Sequence, residues 1–503
     1  MSKLRTTIAV LTAAVAAVSA FAFSVSATSD ENSVPNTSLE LVRDMGNGIN
    51  LGNTMESCGS WIGGSTPTSY ETAWGQPKTT KAMIDGMKAA GFNSVRIPVA
   101  WSNMMSDDGN YTIDTRYLDR VEEIVNYVLD NDMYAVVNDH WDGGWWEDFA
   151  ATNSDKTANE AVRAEAMKKY KAIWTQVGER FKDYSHKLIF ESANEELGDS
   201  FTNGEYWIKT KERYTLVTEI NQAFVDLIRS QGGNNADRYL LIAGYNTDIV
   251  KTTDEKYVMP TDTVNDRLLI SVHYYTPSTF CLVSNPNNSW GYSDTWGTDA
   301  DIAEMRNYLE MMTKFTDQGI GVIIGEFGAF HGQNGLIKNG TYSFYDNMLK
   351  ICEELNYCPM SWDCSEWYIR KEGKITDEKM AAVFKDNEYV PTDPVTDPTT
   401  ETTAESTTID ITDPGETTEP TSTDSTEATT TDTTTEAVIT TASAGNTTTT
   451  AKSNTTTVAA TTKKASTSSA STDKNVNTGS GSAVGITVIF AAASALAVIT
   501  KKR

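Results

Sequence analysis

Residues 188–196 read LIFESANEE. An apolar run of that length suits a buried strand and is too short for a helix. It ends in Glu191, Asn194, Glu195 and Glu196, a density of carboxylates that no strand interior accepts. A strand whose C-terminal end turns acidic fits a barrel or parallel sheet that carries its chemistry at that edge. Residues 321–328, GVIIGEFG, repeat the pattern and end on Glu326. Two strand ends, each offering one glutamate, supply a proton donor and a nucleophile or base. That is the minimum needed to cleave a glycosidic bond.

The elements that must bring these residues together alternate along the chain. Apolar runs predict strands over 48–52, 94–98, 133–138, 188–191, 239–243, 268–272, 321–325 and 359–362. Helical periodicity falls between them over 79–90, 115–130, 158–183, 213–230, 301–317, 342–354 and 377–385, with a poorly marked connection after the fifth strand. This alternation predicts an α/β fold, a (β/α)8 TIM barrel over residues 36–389. In such a barrel the strand ends converge on one face, which makes neighbours of Arg96, His140, Asn194, Glu195, His273, Tyr275, Glu326 and Trp362. Taken singly, each would read as a structural or solvated group. Their common position is what marks a site.

The stretches INLGNTME, ETAWGQPKTT, GFNSVRIPVAW, VVNDHW, FESANEE, SVHYYTP, GEFG and MSWDC resemble, in that order, glycoside hydrolase family 5, the cellulase family. The resemblance covers residues 40–385, and its opening motifs are most similar to clostridial and ruminococcal endoglucanases. It implies that Glu195 is the general acid/base and Glu326 the nucleophile of a retaining mechanism, without metal or cofactor. It further implies that Arg96 and Tyr275 hold Glu326 ionised and that the charge of Glu326 raises the pKa of Glu195. Asn194 would bond the sugar's 2-hydroxyl, His140 and His273 would orient substrate and carboxylates, and Trp362 would floor the reacting sugar. Glu191 is a rival to Glu195, but it lies on the strand itself. Glu196 departs from the pattern, standing where the family usually has proline.

Trp61, Trp74, Trp101, Trp141, Trp145, Trp146, Trp290 and Trp296 fall in loops or strand ends on the same face. Sugar rings stack on aromatic planes, so some should line a cleft while others are core. Trp145 and Trp146, beside Gly143 and Gly144, are the pair expected to meet substrate. The expected activity is hydrolysis of internal β-1,4 bonds in cellulose or a related β-glucan. Rival readings are xyloglucan, mixed-linkage glucan or mannan as substrate, and a non-catalytic carbohydrate-binding surface protein. With four histidines in all, no convincing ligand cluster for a metal-dependent hydrolase emerges.

The rest of the chain speaks to location. Lys3 and Arg5, an apolar run over 8–23 and Val25-Ser26-Ala27 predict a signal peptide over 1–27. Residues 390–480 are rich in threonine, serine, proline and acids, which predicts a solvated linker. An apolar segment at 483–503 closes with Lys501-Lys502-Arg503, which predicts attachment to a bacterial membrane or cell wall. Asn477-Thr478-Gly479 resembles part of a cell-wall sorting signal, without the usual Leu-Pro. A formal charge of −27 argues against nucleic acid as partner. The expected protein is secreted, surface-attached and monomeric. The five cysteines are scattered, and a bridge among Cys352, Cys358 and Cys364 is not favoured.

Overall fold

The computed structural model describes residues 34–202 and 209–388. The signal peptide, linker and C-terminal segment expected from the sequence lie outside the described residues. Among the described residues no helix is long and apolar enough to cross a membrane.

Eight parallel strands close into a barrel in sequence order: β1 (Gly48–Asn50), β2 (Ser94–Ile97), β3 (Tyr134–Asn138), β4 (Leu188–Glu191), β5 (Leu240–Asp248), β6 (Leu268–Tyr274), β7 (Gly321–Phe327) and β8 (Tyr357–Ser361). A small hairpin, β9 (Tyr368–Ile369) with β10 (Lys374–Ile375), follows. The main helices are α1 (Ser38–Met45), α2 (Lys81–Ala89), α3 (Thr115–Leu129), α4 (Glu160–Phe181), α5 (Thr210–Ser230), α6 (Asp299–Glu310), α7 (Thr341–Leu355) and α8 (Glu378–Asp386). The expected (β/α)8 fold is present, with local differences. The poorly marked connection after β5 holds only a helical turn, Ile249–Thr252, and the helix expected over 301–317 divides into α6 and Thr313–Thr316.

Side-chain caps fix several helix starts. Asp114, Asn159 and Asp377 accept backbone N–H groups at the beginnings of α3, α4 and α8, and Thr298 with Asp301 forms a capping box on α6. The strands are buried on both faces, as helices packed outside a closed sheet require. Helix α1, absent from the sequence reading, packs Leu41, Val42 and Met45 against Tyr134, Val136, Ile189, Tyr239, Leu241, Leu269, Ile323, Cys358 and Met360. These barrel residues lie toward the strand starts, so α1 closes the end opposite the acidic one. Its Ser38 hydroxyl accepts from Gly321 N at 2.9 Å, and Tyr239 donates to Pro35 O at 2.6 Å.

Two buried arginines tie connections to the barrel. Arg238 donates to the carbonyls of Phe181, Tyr184, Ser185 and Leu188, joining the end of α4 to the start of β4. Arg120 on α3 grips Glu71 in a fork (3.0 and 2.7 Å) and the Thr79 carbonyl at 2.7 Å. Glu71 opens the ETAWGQPKTT stretch, so that part of the motif serves to anchor the loop. All five cysteines are free.

Replacing Glu71 by alanine removes the buried fork and leaves the Arg120 guanidinium with the Thr79 carbonyl and the half-exposed Glu123. Removing one partner of a buried ion pair costs at most about 3–5 kcal/mol, so E71A should lower the denaturant midpoint of the barrel. An unchanged urea unfolding curve contradicts the anchoring role.

Candidate active site

The site is built on Arg96. Its side chain is fully buried at the end of β2. Nε donates to Glu191 Oε2 at 2.6 Å, and Nη1 to Glu326 Oε1 at 2.8 Å and Asn50 Oδ1 at 3.0 Å. Nη2 donates to Asn194 Oδ1 at 2.9 Å. Burial works against the charge, but Glu191 and Glu326 more than offset it, and Arg96 is held above its ordinary pKa. Glu191, the rival candidate, is also fully buried, with its second oxygen accepting from Ser271 Oγ at 2.8 Å. It supports Arg96 from below and does not reach the cleft lining.

Local irregularity aims the carboxyls at the strand ends. The β6–β7 ladder shifts register between Val272 and His273, and the β7–β8 ladder between Ile324 and Phe327. Such bulges at strand ends redirect side chains. Gly325 permits the close approach, because a Cβ there would stand 2.9 Å from Ser271 Oγ. As a result one carboxylate oxygen each from Glu195 and Glu326 and a ring nitrogen of His273 lie within 4.8 Å of one another. His273 Nδ1 stands 2.8 Å from Glu195 Oε1 and 3.7 Å from Glu326 Oε2. Tyr275 donates to Glu326 Oε2 at 3.1 Å.

The two glutamates differ in setting. The Glu326 side chain is 8% exposed, that of Glu195 36%. Burial raises the Glu326 carboxyl above its ordinary value, His273 and Arg96 pull it back, and the Glu195 charge raises it. The expected contacts from Arg96 and Tyr275 are in place, yet their pull is outweighed because the carboxyl has lost its water. Burial and the neighbouring Glu326 charge raise the Tyr275 phenol well above its usual range, so it remains a donor.

His140 stacks on Trp362, with ring centroids 5.9 Å apart and planes 13° apart. Burial, then Arg96 and His273, push its pKa well down, so the ring is neutral. The Asn138 amide accepts from Val99 N through Oδ1 and faces His140 Nδ1 at 3.3 Å through Nδ2. That leaves His140 Nε2 as the protonated nitrogen, a donor.

These groups border a cleft of about 570 Å³ lined by Asn194, Glu195, Glu326, Tyr275, His140 and Trp362, among others. Its walls add Trp61, Trp74, Trp141, Leu282 and Phe330; Trp61 is 59% and Trp141 37% exposed. The expectation for Trp145 and Trp146 is corrected. Trp146 is fully buried. Trp145 stacks on it at 4.7 Å, carries Lys169 Nζ 4.4 Å from its ring centroid, and donates Nε1 to Asp142 at 2.9 Å. With its faces so engaged, the pair stands behind the cleft and offers no stacking plane to a sugar. Trp101 and Trp296 are core as well. Asn50, Asn138 and Ser271, which hold Arg96, His140 and Glu191 in place, were not read from the sequence. Neither was Glu56, a cleft residue whose carboxyl burial pushes up to about 7 against backbone donors from Thr54 and Asn53.

Residues 55–366 match the family described as Cellulase (glycosyl hydrolase family 5). The chain belongs to glycosyl hydrolase family 5. It is 36% identical over 313 residues to Endoglucanase B of Clostridium cellulovorans, covering 61% of this chain and 64% of that one. It is 33% identical over 341 residues to a xyloglucan-specific endo-beta-1,4-glucanase of Bacteroides ovatus, covering 65% of each. The chain thus spans slightly less than two thirds of the length of these relatives. A solved broad-specificity endoglucanase from Ruminococcus champanellensis with bound cellotriose gives a TM-score of 0.59 at 33% identity, covering 69% of this chain and 98% of that one.

Arg96→Met keeps bulk but leaves Glu191 buried with no cation. The expected cost is about 3–5 kcal/mol, read as a drop in the urea midpoint. Retention of wild-type stability would show that Glu191 does not depend on Arg96.

Proposed function

We propose that this protein is a retaining endo-β-1,4-glucanase acting on cellulose or a related plant β-glucan. The observation that carries the reading is the spacing of Glu195 and Glu326, one oxygen of each lying within 4.8 Å of the other on an open, aromatic-walled cleft. Retaining glycosidases hold their carboxyls about 5–5.5 Å apart, whereas inverting ones leave about 6.5–9.5 Å for a water. In the first step Glu326 attacks the anomeric carbon as the glycosidic C–O bond breaks, and Glu195 gives its proton to the departing oxygen. The sugar is then esterified to Glu326. In the second step Glu195 takes a proton from water, the resulting hydroxide attacks the same carbon, and Glu326 leaves as carboxylate.

Around that exchange, Arg96 and Tyr275 hold Glu326 in line, and His273 holds Glu195. Asn194 meets the 2-hydroxyl of the reacting sugar, while Trp362 lies beneath its apolar face and His140 donates from the side. Trp61 and Trp141, exposed on the rim, suit neighbouring sugars of a polymer. The Bacteroides ovatus relative supports xyloglucan as an alternative backbone within the same mechanism. The N-terminal apolar run and the apolar, basic-tailed C-terminus support secretion and attachment to the bacterial surface. Protease treatment of intact cells should therefore release the activity, and protection from protease would argue for an internal enzyme.

The full chain should release reducing sugar from carboxymethyl cellulose, with lichenan, xyloglucan and galactomannan run beside it to rank substrates. E195Q and E326Q should each lose on the order of 10²–10⁴-fold or more in kcat on polymer. Binding of polymer without any release by the wild type would favour a carbohydrate-binding protein instead. The pH profile has a defined sign. Glu326 must be ionised to attack, and its pKa is raised above 4.5, so kcat/KM should fall as pH drops through a value above 4.5. An acid limb centred below 4.5 contradicts that assignment.

A further inference from the structure

We propose that Glu196 is a positioning residue for the reaction: its carboxyl holds the Asn194 amide so that an N–H is presented to the 2-hydroxyl of the sugar being cleaved. The inference rests on the glycosidase reading and on the role given there to Asn194.

The Asn194 amide is gripped from two sides. Arg96 Nη2 donates to Oδ1 at 2.9 Å, which decides which end of the amide is oxygen. The opposite end, Nδ2, carries two N–H bonds, and one of them reaches Glu196 Oε1 at 3.4 Å. The second is left for the cleft, whose lining includes Asn194. Rotation about the last side-chain bond of asparagine is broad and weakly restrained. A single bond from Arg96 would let the amide plane swing, whereas a bond at each end fixes it.

Glu196 is suited to this as a neutral group. It is 5% exposed, and its Oε2 has no hydrogen-bond partner among the described residues. Facing it are Glu195 beside it, Glu326 from β7, Asp139 after β3 and Cys58 after β1. Beyond Asp139 lie Asp142 and, from α4, Lys169. Asp139 is fully buried against Asp142 and is pushed well up, by burial and then by Asp142. Burial, followed by the Glu195 charge, pushes Glu196 up to about 8. An ionised carboxylate with an unpartnered oxygen is strongly disfavoured there, so near pH 6 Glu196 is an uncharged carbonyl acceptor. Glutamine presents the same acceptor at the same reach, and alanine presents none.

The test compares two probes on the full-length protein at pH 6: 4-nitrophenyl β-cellobioside, and its analogue lacking the 2-hydroxyl on the glucose bonded to nitrophenol. The preference is the ratio of kcat/KM on the two. Because it is a ratio, the fraction of active protein cancels, and partial misfolding of a variant does not disturb it. Wild type should favour the 2-hydroxyl probe on the order of a hundredfold. E196A should shrink the preference by about tenfold, with the loss confined to the hydroxylated probe, and E196Q should keep the wild-type ratio. If E196A keeps that ratio, the positioning role is overturned while the glycosidase reading stands. If E196Q behaves like E196A, the role belongs to a charged carboxylate and the proposal also fails. If wild type itself has no preference, the Asn194 contact is wrong, and this inference falls with it.

Discussion

The guanidinium of Arg96 is the interaction on which the rest of this site depends. A fully buried cation is costly unless its donors are matched, and here Glu191, Glu326, Asn50 and Asn194 all accept from it. Those partners come from β1, β4 and its following loop, and β7, so one planar group sets the relative placement of several strand ends. Planarity matters because each N–H direction is fixed by the others. A lysine at the same place could neutralise one carboxylate but could not fix the angles among four acceptors. Ser271 on β6 completes the arrangement by holding the free oxygen of Glu191.

Division of labour within the barrel follows from this. The end closed by α1 is apolar, with Leu41, Val42 and Met45 against the strand starts, and it carries stability. The opposite end spends backbone regularity on function, with register shifts in the ladders that deliver His273 and Glu326. Two carboxyls from that end then fall into unlike settings. Glu326 is nearly enclosed, tied to Arg96 and Tyr275, and able to approach a bound sugar from a fixed direction. Glu195 is more open, reached by His273 on one side and by solvent on the other. On the proposed mechanism that openness suits a group that must meet both a departing polymer end and an incoming water.

Much of this was legible in the chain because a barrel strand is a short apolar run that ends where chemistry begins. Glu195, Glu326, Arg96 and Tyr275 announced themselves by standing at those ends, and the fold supplied their convergence. The tryptophans did not. Whether a loop tryptophan faces sugar or core depends on how the backbone turns, and after Trp141 it passes through Gly143 and Gly144 at φ of 80° and 82°. That path leaves Trp141 on the cleft and sends Trp146 inward. Helix α1 carried no chemical signal and was missed, though its Thr37 cap is plain once seen. The net direction of the Glu326 shift was also out of reach, because it depends on depth of burial, which no motif records.

Glu196, at the position where the family resemblance expects proline, shares a feature with other acids near the cleft. Glu56 lines the cleft, Glu196 follows Glu195 and Asp139 faces Glu196 and Asp142; burial raises all four carboxyls. Ionised, Glu196 would add negative charge beside Glu326 and make its ionisation harder. Held neutral, Glu196 acts as a hydrogen-bonding group and leaves the Arg96–Glu326 pair without an added charge beside it. The condition is set by pH, since values of about 7 for Glu56 and about 8 for Glu196 lie close to neutrality. Above that range Glu56 and Glu196 both gain charge, so the electrostatics of the cleft belong to these two acids as well as to Glu195 and Glu326. Low dielectric around the site is therefore part of its chemistry: the burial that raises Glu326 also raises its neighbours Glu56 and Glu196.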